Sequence, residues 1–463
     1  MFTLGRLLDA TSGSVVRGSA DRSLTFKGGS FDSRILEPGT LFFALRDVRD
    51  GHDFVADALA RGALGAVVER VPGDVGSGAL LVEVASVPHA LRRLAEAVRA
   101  DREIPAVGIT GNVGKTTAKQ AAVATLGARF RVLASASSFN NEIGVPLTFI
   151  AQEPTHEVAV IELGFYVPGE IADLCRLVRP TVGIVTAIPE RPVHFSRTPS
   201  VEAIASGKAE LIEALPESGV ALLNADDPRV RALAPRTRAR VVLFGTSPDA
   251  ELRATDVRQE GLDDLRFTVM YGGQQAEARM PMPGRHFLVA GLAAIGAAVE
   301  LGIPLDEAAV ALATMEPPAH RVNVHRTGEV TVVDDSYNAS PAAVAAALEL
   351  LRGAGGRRIA VIGDMRELGT LSDAAHEDAG RDAARSVDVL VGVGELAVRM
   401  VESARAAGLT NAHHASDAAE ALVILRRLMR PGDTVLVKGS RAIGLDALAD
   451  ALIGAAPARR GAA

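Results

Sequence analysis

The stretch IPAVGITGNVGKTTAK, residues 104–119, reads as a short apolar strand, a tight glycine turn and the first turn of a helix. Gly111 and Gly114 can adopt backbone angles closed to other residues, so successive N–H groups along Gly111, Asn112, Val113 and Gly114 can point at one oxyanion. The helix that opens near Thr116 and Thr117 adds the positive end of its dipole. In such a cradle Lys115 reaches the β and γ phosphates, and the Thr116 hydroxyl is placed to ligate Mg²⁺. The spacing is the shorter TGxxGKT, because Ile109 stands where the longer phosphate-loop pattern has its first glycine. A bare strand-to-helix turn does not account for Gly-Lys-Thr-Thr after an apolar strand, so nucleotide binding follows. The reaction has to be read from elsewhere in the chain.

Outward from that unit, apolar strands alternate with helical patterns. EVAVIELG, TVGIVTAI, GVALLNADD and RVVLFG follow in turn, an alternation that implies an α/β, doubly wound parallel sheet. Residues 250–283 interrupt it, and LRFTVMYGGQQAEARM around Gly272-Gly273 reads as an antiparallel hairpin. GRHFLVAGLAAIGAAVEL is apolar nearly all round, the pattern of a buried helix. A second series starts near Arg321: EVTVVDD leads into SYNASPAAVAAALELL, with Ser340 as the N-cap and Pro341 as first helical residue. RRIAVIGDM, VDVLVGVG and DTVLVKGS supply further strands, giving a Rossmann-like α/β unit with no TGxxGKT loop of its own. Ahead of the phosphate loop lies a small mixed α/β unit. It opens with a helix and carries FDSRILEPGTLFFAL, an extended pattern interrupted at Pro38-Gly39, then GALGAVVERV and GALLVEV. The last residues, AAPARRGAA, read as a frayed tail.

The chain has 463 residues, too many for one core, and at roughly 100–200 residues per domain it divides into about three. The composition shifts place them at 1–100, 101–318 and 319–463. A net charge of −7 argues against a nucleic-acid platform, which needs a basic face. Cys175 is the only cysteine, which excludes an internal disulfide and a cysteine metal cluster, fits a reducing compartment, and reads as core filler. Residues 1–13 lack the apolar run of a signal peptide, and the most apolar stretch, Phe287 to Val299, is too short to span a bilayer. A cytoplasmic protein is expected.

Several side chains are placed to carry chemistry. Glu162 ends the strand EVAVIELG, at the carboxyl edge where open α/β sheets bind ligands, and a carboxylate there can hold Mg²⁺ on a nucleotide. His194 follows the next strand and can reach the same edge, against the plain alternative of a solvated loop histidine. Lys208, in SVEAIASGKAELIEAL, reads from spacing as a helix-surface lysine. Asn140 and Asn141 offer paired amides that suit a polar substrate, with a helix cap as the alternative. Asp32, Ser33 and Arg34 either hold a ligand or cap a turn, and spacing favours the turn. Asp334, Asp335, Tyr337 and Asn338 cluster at another strand end, where acids grip ribose hydroxyls or serve as caps.

Taken in order, TGNVGKTT, FNNEIGVPLT, VIELG with PGEI, the His194 loop, SGKAELI, LNADDP, GRH, DDSYNASP, VIGDMRELG and VLVKGSR resemble the Mur ligase superfamily over nearly the whole chain. DDSYNA with GDMxELG and NNEIGVPLT resemble most its branch that adds D-alanyl-D-alanine to UDP-N-acetylmuramoyl-tripeptide. The resemblance implies an ATP-dependent ligase of peptidoglycan precursor synthesis. ATP phosphorylates the carboxylate of the UDP-linked peptide, and the dipeptide amine attacks the acyl phosphate to give amide, ADP and phosphate. It implies that Lys208 is carbamylated and helps hold a second Mg²⁺, that Glu162 and His194 are metal ligands, and that Arg321 contacts the ATP phosphates. It also implies that Asp335 and Asn338 complete the nucleotide site from the last domain, and that the first domain holds the UDP group around Asp32, Ser33 and Arg34. Asn140 and Asn141 belong in this reading to the acceptor region, and a monomer is expected.

Three strings depart from the resemblance. GRHFLVAGLAA puts Phe287 and Ala290 where asparagines near the adenine are usual, ELGFYVPGEI replaces ELGANxPGEI, and AIPERPVHFS replaces a loop closer to NxxxAHLE. They imply either an altered acceptor or a lineage variant of the same reaction, the second being favoured by the intact phosphate loop, Glu162, Lys208 and DDSYN. A Mur-type ligase with a different acceptor and a nucleotide-binding protein without ligation are the competing readings. The DSRILEPGTLFFAL module speaks against the folate-type version of the first, and retention of Lys115, Glu162 and Lys208 against the second.

Overall fold

A computed structural model describes residues 1–135, 139–192 and 194–454. The C-terminal AAPARRGAA lies outside the described residues. Strands β1 (Phe2–Thr3), β2 (Ser14–Arg17), β3 (Thr25–Phe26), β4 (Gly29–Ser30), β5 (Leu41–Phe43), β6 (Gly65–Val68) and β7 (Leu81–Glu83) build the first unit. β1 pairs with β3, and the others form a sheet in the order β2-β7-β6-β5-β4, in which only β2 is antiparallel to its neighbour. Of the pattern expected to be extended in FDSRILEPGTLFFAL, only Leu41–Phe43 is strand. Residues 31–40 turn instead, because Asp32 and Glu37 accept local backbone bonds from Arg34 and Thr40, and Gly39 takes the left-handed φ of 92°.

The central sheet contains β8 (Ala106–Thr110), β9 (Val132–Ala134), β10 (Val158–Glu162), β11 (Val182–Val185), β12 (Val220–Asn224), β13 (Arg240–Gly245), β14 (Leu252–Arg258), β15 (Leu265–Tyr271) and β16 (Gln274–Met280). Its order is β16-β15-β14-β13-β12-β11-β8-β10-β9. From β9 across to β14 every pairing is parallel, and the strands around the phosphate loop, buried along their whole length, are runs of Val, Ile, Leu and Ala, as a two-sided sheet demands. The edge β14-β15-β16 is antiparallel, and the hairpin expected at Gly272-Gly273 is formed, both glycines at positive φ (57° and 78°) as a two-residue turn requires. The helix Leu288–Glu300 is buried over nearly its whole circumference.

The last sheet has β17 (Asn323–Arg326), β18 (Thr331–Asp335), β19 (Arg358–Gly363), β20 (Val389–Val393), β21 (Ala412–Ala415) and β22 (Thr434–Lys438), in the order β17-β18-β22-β19-β20-β21. All pairings are parallel except that of the edge strand β17. β17 was not foreseen: NVHR is half-exposed, with the partial burial of an edge, and shows no apolar run.

One hydrophobic cluster continues from Phe2, Leu94 and Val98 into Phe149, Ile161 and Leu211, so the first and central units share a core. Arg99 is buried in that junction, donating to the carbonyls of Ile104 (2.8 Å) and Val178 (3.2 Å) with its guanidinium 5.4 Å from the Phe149 ring. Cys175 is buried as core filler, and burial pushes its thiol up to about 12. Among the described residues no helix is long and apolar enough to cross a membrane.

Candidate active site

β8 ends at Thr110, and the chain turns through Gly111 (φ 141°) and Gly114 (φ 86°) into the helix Lys115–Leu126. A Cβ at Gly111 would lie 2.1 Å from Thr186 Oγ1, so glycine is demanded there by space as well as by angle. Thr186, just past β11, braces the loop with its hydroxyl 2.6 Å from the Val113 carbonyl, and Asn112 N–H donates to Ala187 O at 2.8 Å. Lys115 folds back so that Nζ donates to Gly111 O at 2.9 Å, within the cradle it closes. Burial holds its pKa below the ordinary lysine value, while nearby Glu162 works in the opposite direction. Thr117 is buried one residue along the helix.

Parallel pairing of β8 with β10 brings Glu162 level with Ile109. The Thr116 hydroxyl donates to Glu162 Oε2 (2.9 Å), and Asn140 Nδ2 donates to Oε1 (2.9 Å). Glu162 is thereby held at the phosphate loop by one group on each oxygen. The two asparagines part company: Asn140 serves the carboxylate, whereas Asn141 Oδ1 accepts from Gly144 N–H (2.9 Å) and caps the following helix.

The surface reading of Lys208 is overturned. Its helix, Val201–Glu213, packs along its middle against the sheet, so Lys208 is fully buried and Nζ has no hydrogen-bond partner among the described residues. The amine lies 4.4 Å from the centre of the Phe165 ring, and that ring presses on Gly207 so closely that a Cβ there would come within 2.0 Å of it. Desolvation first, then the charge of Lys115, holds its pKa well below the ordinary lysine value. His194 stands on the loop after β11 with Nδ1 2.6 Å from a Glu367 carboxylate oxygen and the Tyr166 ring edge-on at 4.8 Å. Burial lowers its pKa, against the opposing pull of Glu367, and the Lys115 and Lys208 charges lower it further.

The last unit meets this edge through Arg321. Its guanidinium donates to Thr116 Oγ1 at 3.3 Å and lies 4.3 Å from the Tyr337 ring centre. Asp335 is bound by Lys438 Nζ at 2.5 Å, the same nitrogen donating to Asn338 O at 3.0 Å, while Asn338 Oδ1 accepts from Ala339 N–H. Burial raises the Asp335 pKa, opposed by the Lys438 charge. His286 of GRH is solvent-exposed and stands near enough to Lys438 to feel its charge, which works to lower its pKa.

In the first unit Asp32 takes three bonds from Arg34, to N (3.0 Å), Nε (2.8 Å) and Nη2 (2.6 Å), so the turn reading describes its geometry. That turn nevertheless stands beside the acceptor loop: Phe31, next to Asp32, has its ring 6.0 Å from that of Phe139, next to Asn140. Ser33 is buried near Asp57. Sequence reasoning missed Thr186, Lys438 and Glu367. Lys438 carried a signal, a lysine ending an apolar strand before Gly-Ser, and Glu367 is the fixed acid of GDMxELG, but nothing in the sequence pointed either one to its partner.

Thr116, Glu162 and the phosphate oxygens of a nucleotide make a fitting Mg²⁺ donor set, since this ion commonly takes one or two carboxylates plus phosphates rather than a protein cage. Among the described residues no three His, Cys, Asp or Glu side chains form such a cage.

Two family descriptions match the chain: the Mur ligase middle domain over residues 109–298, and the Mur ligase glutamate ligase domain over residues 320–441. The UDP-N-acetylmuramoyl-tripeptide–D-alanyl-D-alanine ligase of Mycobacterium tuberculosis is 37% identical over 91% of each chain. The enzyme of the same name from Escherichia coli is 33% identical over 97% of this chain and 98% of its own. Among solved structures, MurF from Acinetobacter baumannii superposes with a TM-score of 0.85 at 28% identity, covering 98% of this chain and 99% of that one. MurF from Thermotoga maritima in complex with ADP gives 0.76 at 26% identity, covering 93% and 97%.

Proposed function

The chain belongs to the Mur ligase family, and from that premise we propose that it joins D-alanyl-D-alanine to UDP-N-acetylmuramoyl-tripeptide with cleavage of ATP to ADP and phosphate. The observation that carries the reading is the convergence of Lys115, Thr116, Glu162 and Arg321 at one sheet edge, with the unpartnered Lys208 amine buried nearby. The units supplying it are 1–100 for the UDP group, 101–318 for ATP and 319–463 for closing the nucleotide site. Action as a monomer is part of the same reading. Its nucleotide-linked substrates and ATP support a cytoplasmic location.

The tripeptide carboxylate attacks the γ-phosphorus of ATP, ADP leaves, and the acyl phosphate is taken by the dipeptide amine, which expels phosphate and gives up a proton. Lys115, the loop N–H groups other than that of Asn112, which is taken by Ala187 O, and Arg321 face the charge that spreads over the phosphoryl oxygens, and they are positioned beforehand rather than recruited during the step. A bound Mg²⁺ would supply positive charge to offset that of the phosphate oxygens. Thr116 and Glu162 would hold one ion. Glu162, His194 and Lys208 would hold a second, provided the lysine is carbamylated. The uncharged amine that burial favours at Lys208 is the form whose lone pair adds to dissolved CO₂, with a proton released and a carboxylate gained where an ammonium would repel cations. Asp335 and Asn338 line the nucleotide side from the last unit, and Asp32, Ser33 and Arg34 with Asn140 and Asn141 line the substrate side.

The test is ADP release with each substrate withheld in turn. ADP should form only when the UDP-tripeptide, D-alanyl-D-alanine and ATP are all present, with single D-alanine a poor substitute. Lys115→Ala should lower turnover by about 10²–10³-fold while the protein keeps its unfolding midpoint. Equal use of D-alanine and the dipeptide would remove the acceptor assignment. Normal ADP release by folded Lys115→Ala would remove the phosphate-loop assignment.

A further inference from the structure

The contact between His194 and Glu367 joins residues from opposite sides of the site. His194 follows β11 of the central sheet, and Glu367 follows β19 of the last sheet in GDMRELG. We propose that Glu367 is a positioning residue that orients His194 for metal binding only while the last unit is docked, so that docking and metal binding are coupled. This rests on the reading of His194 as a Mg²⁺ ligand.

A metal-binding imidazole uses one ring nitrogen for the cation, and the other is commonly held by a carboxylate or carbonyl that sets its tautomer and orientation. Here Nδ1 is 2.6 Å from Glu367 Oε2, an ion-pair distance whose angle falls short of a hydrogen bond, so a small turn of the ring or carboxylate completes the bond and leaves Nε2 for a cation. Tyr166 fixes the ring from the side, its own ring braced by Arg197 at 4.5 Å. His194 (φ 69°) and Glu367 (φ 66°) both occupy the left-handed region, which non-glycine residues hold when their surroundings over-determine them.

Those surroundings are the docked units themselves. Ser196 N–H donates to Glu367 O at 3.2 Å, Arg191 pairs with Asp378, and a Cβ at Gly369 would come 3.2 Å from Ser196 Cα. The loop bearing His194 is therefore shaped by three contacts with the last unit beyond the Glu367 carboxylate. Withdrawal of that unit removes the carboxylate and these braces together. By linkage, a cation that binds the oriented His194 favours docking by the same factor by which docking favours the cation.

Mn²⁺ is the probe, its binding followed by electron paramagnetic resonance on the full chain with a non-hydrolysable ATP analogue and UDP-tripeptide. Glu367→Ala should weaken Mn²⁺ at the His194 site by about 10–100-fold. Glu367→Gln, whose amide oxygen can still accept from Nδ1–H, should lose less, and metal-free nucleotide affinity should stay at the parent value in both. In a His194→Ala background, Glu367→Ala should have no further effect on Mn²⁺. Scattering should show that Mn²⁺ compacts the parent more than Glu367→Ala. Parent-like Mn²⁺ binding by Glu367→Ala, or a full additional loss in the His194→Ala background, would overturn the coupling while leaving His194 as a ligand. Parent-like Mn²⁺ binding by His194→Ala would instead remove the ligand reading on which the coupling stands.

Discussion

Two buried lysines stand on opposite sides of the nucleotide edge and are treated in opposite ways. Lys438, at the end of β22, is held by Asp335 at 2.5 Å and by Asn338 O at 3.0 Å. Lys208, on the helix Val201–Glu213, is buried at least as deeply and has no hydrogen-bond partner among the described residues, only the face of Phe165. The first is an ion pair satisfied by the fold. The second is a polar group that the fold leaves for something else to complete, and unmet buried polar groups are costly enough to mark a site. The phosphate-loop side is thus organised toward ligands, whereas the last unit's strand ends are organised first toward one another.

Replacing the two lysines should split stability from activity. Lys438→Met strands the Asp335 carboxylate in the interior, and loss of one member of a buried pair costs about 3–5 kcal/mol. Denaturant unfolding should show that loss, and it should shrink at lower pH, because the orphaned carboxyl, whose pKa burial raises, then takes a proton. An unchanged midpoint would mean that the pair is not the support it looks to be.

Lys208→Met should do the reverse. Stability should stay within about 1 kcal/mol of the parent, because a buried amine with no hydrogen-bond partner among the described residues gives way to an apolar side chain of similar length. Turnover should fall by about 10²–10³-fold, and short carboxylic acids should restore part of it in the smaller Lys208→Ala. Full activity in Lys208→Met would dissolve the contrast between the two lysines.

The smallest expected effect sharpens the self-satisfied side. His320 Nδ1 lies 2.7 Å from Asp334 Oδ2, and that hydrogen bond raises the His320 pKa above its ordinary 6.5. A raised folded-state pKa means that the stabilisation is fully present below the unfolded value and is lost as pH rises through the folded one. The parent should therefore be more stable than His320→Gln near about pH 6, by about 1 kcal/mol or less. Unfolding midpoints should converge by about pH 9, and a gap independent of pH would remove the ion pair as its cause.

How much of the site was legible depends on what each residue needs. Gly111, Gly114, Lys115 and Thr116 act through local geometry, so their spacing in TGNVGKTT was sufficient to place them. Glu162 was legible as the last residue of an apolar strand, since a parallel sheet gathers such residues at one edge. β17 and the turn at residues 31–40 escaped because a short edge strand and a capped turn carry little hydrophobic period. Lys208 was misread because helical spacing assigns a face only when the helix has one polar side, and VEAIASGKAELIE is largely small and apolar.

By itself, then, the order of residues determined the α/β class, the phosphate loop and the likeness to Mur ligases, because these depend on periodicity and on side chains close together in the chain. Tertiary structure alone decided that Lys208 is buried without a partner, that Asp335 is neutralised by Lys438, and that His194 takes its carboxylate from Glu367. Each of those facts depends on groups distant in sequence, and burial and charge compensation are properties of the space around a side chain, which the neighbours along the chain do not specify.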